Sequence, residues 1–328
     1  MKLYFLRPED SGLVATDCTL INRVKARFLE RSGFSEAANL ESADAIIFRE
    51  KSYFKEWRFI DHMLADPIAR KYAPKLYTIN SDPSSAGLLR GVYTAVPKHR
   101  YNPRIHRIVH YERFLNDVVL KHRHEPPPEP RYLATWRGNK MSHRKLRDGL
   151  ERTCSASPSF LFETTDSWQN HSPKEQQRYV DVVRAGRFSL CPAGWAAVSF
   201  RIYESMVLGV CPVIIADDFV PPEGPDWDSF VVRLPENALD RLESTLGKFA
   251  DLSAEMGRRA RDAWERFFSP EKIIDHYCDS LLACMRANPE PGPMTKEIER
   301  WRSLHTYWSN GWTIPQRVKI KLRNLVNS

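Results

Sequence analysis

The chain has 328 residues, 42% hydrophobic and 27% charged. That is more than one ordinary core requires, enough for two, and too apolar for a disordered chain. A net charge of +8 favours anionic partners such as nucleic acid, lipid headgroups or phosphorylated substrates, without choosing among them. No apolar run approaches the roughly 20 residues of a membrane span.

The N-terminal MKLYFLRPED reads as a first β-strand, not a signal peptide. Strands are predicted at 2–6, 44–48 and 75–80, with further strand patterns at 92–96 and 107–111. Residues 18–32 carry Leu20, Val24, Phe28 and Leu29 at helical spacing, and Gly33 suits a left-handed cap. A second helix is predicted over 54–65, with Trp57, Ile60 and Leu64 on one face. This β-α-β-α-β order predicts a parallel α/β sheet.

The segment KHRHEPPPEP, residues 121–130, holds four prolines and forms neither helix nor central strand. A stiff connector is expected there. It separates an N-terminal α/β domain, 1–125, from a second α/β domain, 126–290, followed by a helical extension, 291–328, packing back across the domains. In the second domain, strands are predicted at 131–136, 159–163, 187–191, 211–215 and 229–234. Helices fall at 142–152, 173–184 and 199–208, with a helical tail over 237–287 and 295–307. The architecture expected is two Rossmann-like domains facing across a cleft, with ligands beyond the carboxyl ends of the strands.

The cysteines Cys18, Cys154, Cys191, Cys211, Cys278 and Cys284 form no CxxC pair, so no zinc spacing is present. Cys191 and Cys211 sit in apolar strand patterns, where a thiol acts as a small hydrophobe. Free thiols suit a reducing compartment, and a cytoplasmic location is expected.

The most informative stretch is RFSLCPAGWAAVSFRIYESMVLGVCPVIIADDFVPPEGPDWDSF, residues 187–230. It reads as strand, loop, helix, strand, loop. Pro192 stops the strand ladder, Gly194 allows a tight turn, and Ser199 is a natural N-cap. The N-terminus of that helix suits a phosphate, because its free N–H groups and dipole both favour an anion. Arg201, in the first turn, is unfavourable at that end unless an anion lies near it. Glu204 lies on the same face one turn deeper, where a carboxylate accepts hydrogen bonds from ribose hydroxyls. A plain i, i+3 surface ion pair is the alternative reading of Arg201 and Glu204.

This run strongly resembles the donor-binding region of exostosin-family glycosyltransferases. The shared elements are the Cys-Pro-x-Gly strand end, the Ser/Thr-x-Arg, the acidic residue after it, the Gly-x-x-Pro-Val-Ile strand and the PP loop followed by Trp. Upstream, ATWRGNKMSHRKLRDGL (134–150) is similar to the entry of the same domain, with Gly138, Asn139 and Arg144 at matching positions. The resemblance covers about residues 131–240. It implies a GT-B fold, a nucleoside-diphosphate sugar as substrate with no separate cofactor, and inversion at the anomeric carbon. Carried over by position, Arg201 contacts the diphosphate and Glu204 the ribose. Ser199, Pro192 and the Gly194 loop line the phosphates with Gly138 and Asn139, and Arg144 is a second cation near the leaving group.

The reaction expected is a single displacement, with Arg201 and Arg144 facing the charge of the departing nucleotide. The donor is expected to be a UDP-sugar and the acceptor a glycan or lipid-linked glycan of the cell surface. A base on the N-terminal domain takes the acceptor's proton. Asp82 and Asp10 follow strand ends and are its candidates, with His99, His106 and His110 as further options. Asp217–Asp218 reads as a loop feature, not a metal site. KHRYNPRIHR (98–107) suits either an acidic acceptor or a solvated loop. The alternating basic and apolar residues of 317–323 suit either a peripheral anionic membrane contact or a closing segment packed on the domains. Trp301, Trp308 and Trp312 suit packing. Two other functions compete: a nucleotide-sugar isomerase or sensor on the same fold, and a nucleic-acid-binding protein. The sequence carries no zinc finger or aromatic RNA motif for the latter, and no nucleic-acid partner is expected.

Overall fold

The computed structural model describes residues 1–51, 59–82, 87–112, 116–167, 171–287 and 294–304, together with Ile314, Val318 and Leu322. The chain forms two compact units, Met1–Val109 with Ile274–Ser328, and His110–Ile273.

The first unit is built on six strands: β1 (Lys2–Phe5), β2 (Ser35–Glu36), β3 (Ala45–Arg49), β4 (Leu76–Asn80), β5 (Arg90–Tyr93) and β6 (His106–Ile108). They lie in the order β2-β1-β3-β4-β5-β6, and every pair is parallel. A parallel sheet covered on both faces requires strands that are apolar throughout, which Ala45, Ile46, Ile47 and Phe48 supply. Helix α1 (Thr19–Leu29) buries Leu20, Ile21, Val24 and Phe28, the stripe that the spacing predicts. Helices α2 (Phe59–Ala65) and α3 (Pro67–Tyr72) follow β3, and Asp66 caps α3 by accepting from Ala69 N at 2.8 Å. The predicted helix 54–65 thus begins outside the described residues, as does Trp57.

In the second unit α4 (Val118–Lys121) precedes β7 (Tyr132–Gly138), α5 (Arg144–Ser155), β8 (Phe160–Thr164), α6 (Pro173–Arg184) and β9 (Gly186–Pro192). Then come α7 (Phe200–Val207), β10 (Cys211–Ile215), β11 (Val232–Arg233), α8 (Leu242–Gly247) and α9 (Ser253–Phe267). The strand order is β11-β10-β9-β7-β8, again all parallel. Trp136, Leu150, Phe188, Leu190, Val213, Ile215 and Leu242 form its core. Helix α6 starts as its sequence prescribes. Pro173 occupies the first turn, while the Ser172 hydroxyl and the Glu175 carboxylate cap each other's backbone N–H groups at 3.3 and 3.0 Å. Helix α9 crosses the turn after α7 at Gly257, where a Cβ would stand 2.1 Å from the Gly209 carbonyl oxygen.

The division between units differs from the sequence expectation. The proline-rich segment belongs with the second unit, because its flanks are tied there. Arg123 binds Glu265 on α9, and Arg184 on α6 donates to Glu125 at 2.8 Å. The boundary therefore falls at Val109–His110, upstream of the prolines. The predicted tail is also divided, since α10 (Ile273–Ala287) and α11 (Met294–Arg302) pack on the first unit. Asp275 on α10 accepts from Arg27 at 2.6 and 2.9 Å and from Arg31 at 2.7 Å. Trp301 on α11 is fully buried in the first unit's core, where its indole N–H donates to Glu297 at 3.1 Å. Glu297 also holds Arg90 of β5 at 2.7 Å. The basic C-terminal stretch lies outside the described residues apart from Ile314, Val318 and Leu322, which are helical and exposed. Trp308 and Trp312 lie outside them as well.

Candidate active site

At the carboxyl ends of β7 and β9, two arginines come together. Arg201, in the first turn of α7, donates from Nε and Nη2 to the carbonyl oxygen of Arg137 at 3.2 and 2.8 Å. Arg147, from α5, is 5% exposed and donates from Nη2 to the Ala193 carbonyl at 3.1 Å and from Nη1 to that of Asn139. Its Nε–H is buried and has no hydrogen-bond partner among the described residues. The indole of Trp136 lies beneath both, 5.1 Å from the Arg201 guanidinium and 5.8 Å from that of Arg147. The Trp136 ring is itself stacked on Phe162 at 4.3 Å. Gly138 makes the approach possible, because a Cβ at that position would stand 1.9 Å from Arg201 Nη2.

Among the described residues neither arginine has a carboxylate partner within ion-pair distance. Burial and the neighbouring Arg201 charge push the Arg147 guanidinium down to about 9, far below the usual value for arginine. A buried cation beside a half-buried one, with no carboxylate to balance them, is an arrangement that suits an anion. The start of α7 adds to it. Ser199 is the N-cap, its Oγ accepting from Arg201 N at 3.3 Å, and the first turn of α7 has no acidic residue. Ala193 and Gly194 lead from β9 into this turn, with Gly194 N donating to Ala196 O at 2.9 Å. Pro192 is the last residue of β9 and pairs with Ile215.

Glu204 is 5% exposed and accepts a hydrogen bond from Tyr179 Oη at 2.5 Å. Burial pushes its carboxyl up, against the opposing pull of the Tyr179 hydrogen bond and the Arg201 charge. With Glu204 buried and Arg201 half-buried, the two are not an exposed surface ion pair. Asn139 is held by its loop: its amide donates to the Thr165 and Asp166 carbonyls at 2.8 and 2.9 Å, and its Oδ1 accepts from Met141 N at 2.6 Å. Arg144 stands on the outside of α5, its side chain 83% exposed and 3.6 Å from Asp148. The cation that accompanies Arg201 is Arg147, which the sequence reading did not single out. The Asp217 and Glu236 carboxylates each accept from the other residue's backbone N–H, both at 3.1 Å.

In the first unit, a polar cluster lies at the carboxyl ends of β3 and β4. Glu50 follows β3, and its backbone N–H donates to Ile79 O at 3.0 Å. Its carboxylate accepts from Thr78 Oγ1 at 3.0 Å and from the Asn80 side chain. Asn80 Oδ1 in turn accepts from Asp82 N at 2.8 Å. Thr78, Asn80 and Asp82 are all buried, and Glu50 is half-buried. Burial, with a contribution from the Asp82 charge, pushes the Glu50 carboxyl up to about 7. Asp10 lies apart from this cluster as a cap on its own turn, accepting from Arg7 N at 2.8 Å. His106 is a packing residue: Gly87 O lies 2.7 Å from its Nε2, Asn102 N donates to its Nδ1 at 3.1 Å, and burial holds it down to about 4. His110 belongs to the second unit, where it stacks on Tyr203 at 3.6 Å, and His99 is exposed.

Fold and site together define an α/β protein of two parallel-sheet units, one of which carries an arginine-lined anion cradle at the mouth of its sheet. Residues 40–249 match the Exostosin GT47 domain, which is well over half of the chain, and the protein belongs to this family of glycosyltransferases. The match includes Glu50, Asp82, Arg147, Tyr179, Arg201 and Glu204, and excludes Asp10. A probable glucuronosyltransferase of Oryza sativa subsp. japonica is 40% identical over 77 residues, 23% of this chain and 18% of that protein. The probable beta-1,4-xylosyltransferase IRX10 of Arabidopsis thaliana is 43% identical over 70 residues, 21% and 17% of the two chains. The alignments thus span less than a fifth of these relatives. The crystal structure of MurG from Acinetobacter baumannii covers 86% of this chain and 98% of its own at 10% identity and a TM-score of 0.35. Membership rests on the family match and not on that superposition.

Proposed function

We propose that the protein transfers a sugar from a nucleoside-diphosphate sugar, a UDP-sugar in the first instance, to a glycan or glycolipid acceptor of the cell surface, with inversion. The observation that carries this reading is the Arg147–Arg201 pair beside the N-terminus of α7, one guanidinium buried and the other half-buried, with no carboxylate partner among the described residues. A diphosphate supplies the missing negative charge, and arginine binds it through paired hydrogen bonds. As the anomeric bond breaks, the nucleotide takes up the electron pair, and the same two cations stabilise the charge that develops. Because side chains supply that charge, binding should not depend on magnesium. The relatives named as glucuronosyl- and xylosyltransferases make UDP-glucuronic acid and UDP-xylose the first donors to try. Six cysteines, all free and five of them buried, support placing the reaction in a reducing compartment.

The test is thermal unfolding of the protein against a panel of nucleoside diphosphates, with magnesium and with a chelator. At a hundred times its dissociation constant a ligand adds about 2.7 kcal/mol of stability. One nucleotide should raise the melting temperature equally in both conditions. Arg147→Ala and Arg201→Ala should each abolish that response. A wild-type protein indifferent to every nucleotide would sink the reading.

A further inference from the structure

We propose that Tyr179 is a positioning residue for the nucleotide's ribose, holding the Glu204 carboxylate so that it accepts from the ribose hydroxyls. This role rests on the sugar-transfer reading and deepens it, by naming what makes the site prefer a ribonucleotide to a deoxyribonucleotide.

Tyr179 belongs to α6 and reaches both halves of the cradle. Its hydroxyl donates to Glu204 Oε2 at 2.5 Å, and its ring lies 6.0 Å from the Arg201 guanidinium. All three residues lie in the second unit, His110–Ile273, so the arrangement needs no residue of the first. Helix α6 packs on β7 and β9, which accounts for the ring but not for the hydroxyl. Both arginines donate to carbonyl oxygens and not to Glu204: Arg201 to that of Arg137, Arg147 to those of Asn139 and Ala193. Tyr179 is therefore the one side chain that hydrogen-bonds the Glu204 carboxylate among the described residues.

That single bond leaves the carboxylate short of donors. An ionised carboxylate offers about four acceptor positions, and a buried one is costly unless they are used. Glu204 is 5% exposed. It stands one helical turn deeper than Arg201 on the same face of α7, where a diphosphate held by the arginines brings its ribose within reach. The vicinal diol supplies two O–H donors, and an acidic residue reads ribose in this way in dinucleotide-binding folds. Tyr179 contributes twice. Fixing Oε2 sets the rotation of the carboxylate, so its remaining acceptor positions are presented in one orientation. The same bond counters the burial that pushes the Glu204 carboxyl up, which keeps Glu204 an acceptor for both hydroxyls. Burial and the Glu204 charge in turn hold the Tyr179 hydroxyl protonated, as a donor.

The experiment is calorimetric titration of the full chain with UDP, 2'-deoxy-UDP, 3'-deoxy-UDP and pyrophosphate, the base being exchanged if another nucleotide is the one that binds. Wild type should bind UDP at least about tenfold more tightly than either deoxy form, the scale of one hydrogen bond to a charged group. Tyr179→Phe keeps the ring beside Arg201 and removes only the hydroxyl. It should lower that preference at least about threefold by weakening UDP, again on the scale of one hydrogen bond. Its affinity for pyrophosphate should stay within about twofold of wild type, which also shows that the variant is folded and the arginine cradle intact. Glu204→Gln should lower the same preference. A Tyr179 that serves structure alone would weaken all four ligands together, and that result overturns the role. So does a wild type that binds UDP and its deoxy forms equally, or a Tyr179→Phe variant with the full preference; in both cases the donor site itself still stands. A wild type that binds no nucleotide at all sinks the sugar-transfer reading, and the role of Tyr179 falls with it.

Discussion

Arg147 and Arg201 share one aromatic platform, and the nearest carboxylate of the cluster, Glu204, is hydrogen-bonded to Tyr179 instead. The position that makes this geometry possible is Gly138. In Gly138→Ala the new methyl would stand 1.9 Å from Arg201 Nη2, so the guanidinium must leave the Arg137 carbonyl. The expected result is loss of most of the nucleotide-induced melting shift in a protein that still unfolds cooperatively, read in the same thermal assay. Glu50 yields a prediction of opposite character, because its carboxyl is raised from about 4.5 to about 7. Between those values the folded state holds a proton that the unfolded chain has lost, so this group's contribution to stability falls as pH rises through the window. Glu50→Gln removes that penalty. Relative to wild type it should gain about 2 kcal/mol between pH 5 and pH 8, measured by denaturant unfolding at the two pH values. No difference between them would show that Glu50 titrates normally. These residues were not equally legible. Ser199, Arg201 and Glu204 could be read because strand, cap and helix spacing converge on them. Arg147 sits in HRKLRDGL among like charges, and only packing shows that it is buried while Arg144 is exposed. Glu50 ends an apolar strand like any solvated residue, and its environment comes from Thr78 and Asn80, some 30 positions away.

At the level of elements, local signals and structure agree where one segment decides its own state. Helix α6 runs over the predicted 173–184 because its Pro and capping box are local. Helix α7 likewise follows from Ser199. Ser199→Ala removes the side-chain acceptor for the Arg201 N–H and should cost about 1 kcal/mol. It should also weaken the nucleotide response, because it loosens the turn that presents Arg201. A variant with full stability and full response would show that the cap is idle. Strand β2 was illegible for the opposite reason. It is two residues long and exposed, and only its pairing with β1 makes it a strand. The domain boundary was misplaced on the same account. Prolines forbid regular structure locally, but the Arg123–Glu265 and Arg184–Glu125 ion pairs decide which unit the segment joins.

For the molecule as a whole, the two units are threaded differently, and this can be tested. Unit two is one continuous stretch, His110–Ile273, with its own core around Trp136 and Phe188 and the complete arginine cradle. Unit one needs both ends of the chain. Trp301 fills its core, Asp275 gathers Arg27 and Arg31, and Glu297 pairs with Arg90 where the two side chains are only 8% and 11% exposed. Removing such a pair's acid leaves a buried cation, and removing a buried Trp costs about 3–5 kcal/mol, a large share of the stability of any domain. Residues 110–273 expressed alone should therefore unfold cooperatively and keep the nucleotide-induced melting shift without catalysing transfer. Residues 1–109 alone should lack a cooperative transition by circular dichroism. In the full chain, Trp301→Ala should lower the melting temperature of the first unit and leave nucleotide binding unchanged. If instead Trp301→Ala abolishes the nucleotide response, or the 110–273 fragment fails to bind, the donor site depends on the first unit, and the cradle described here is incomplete.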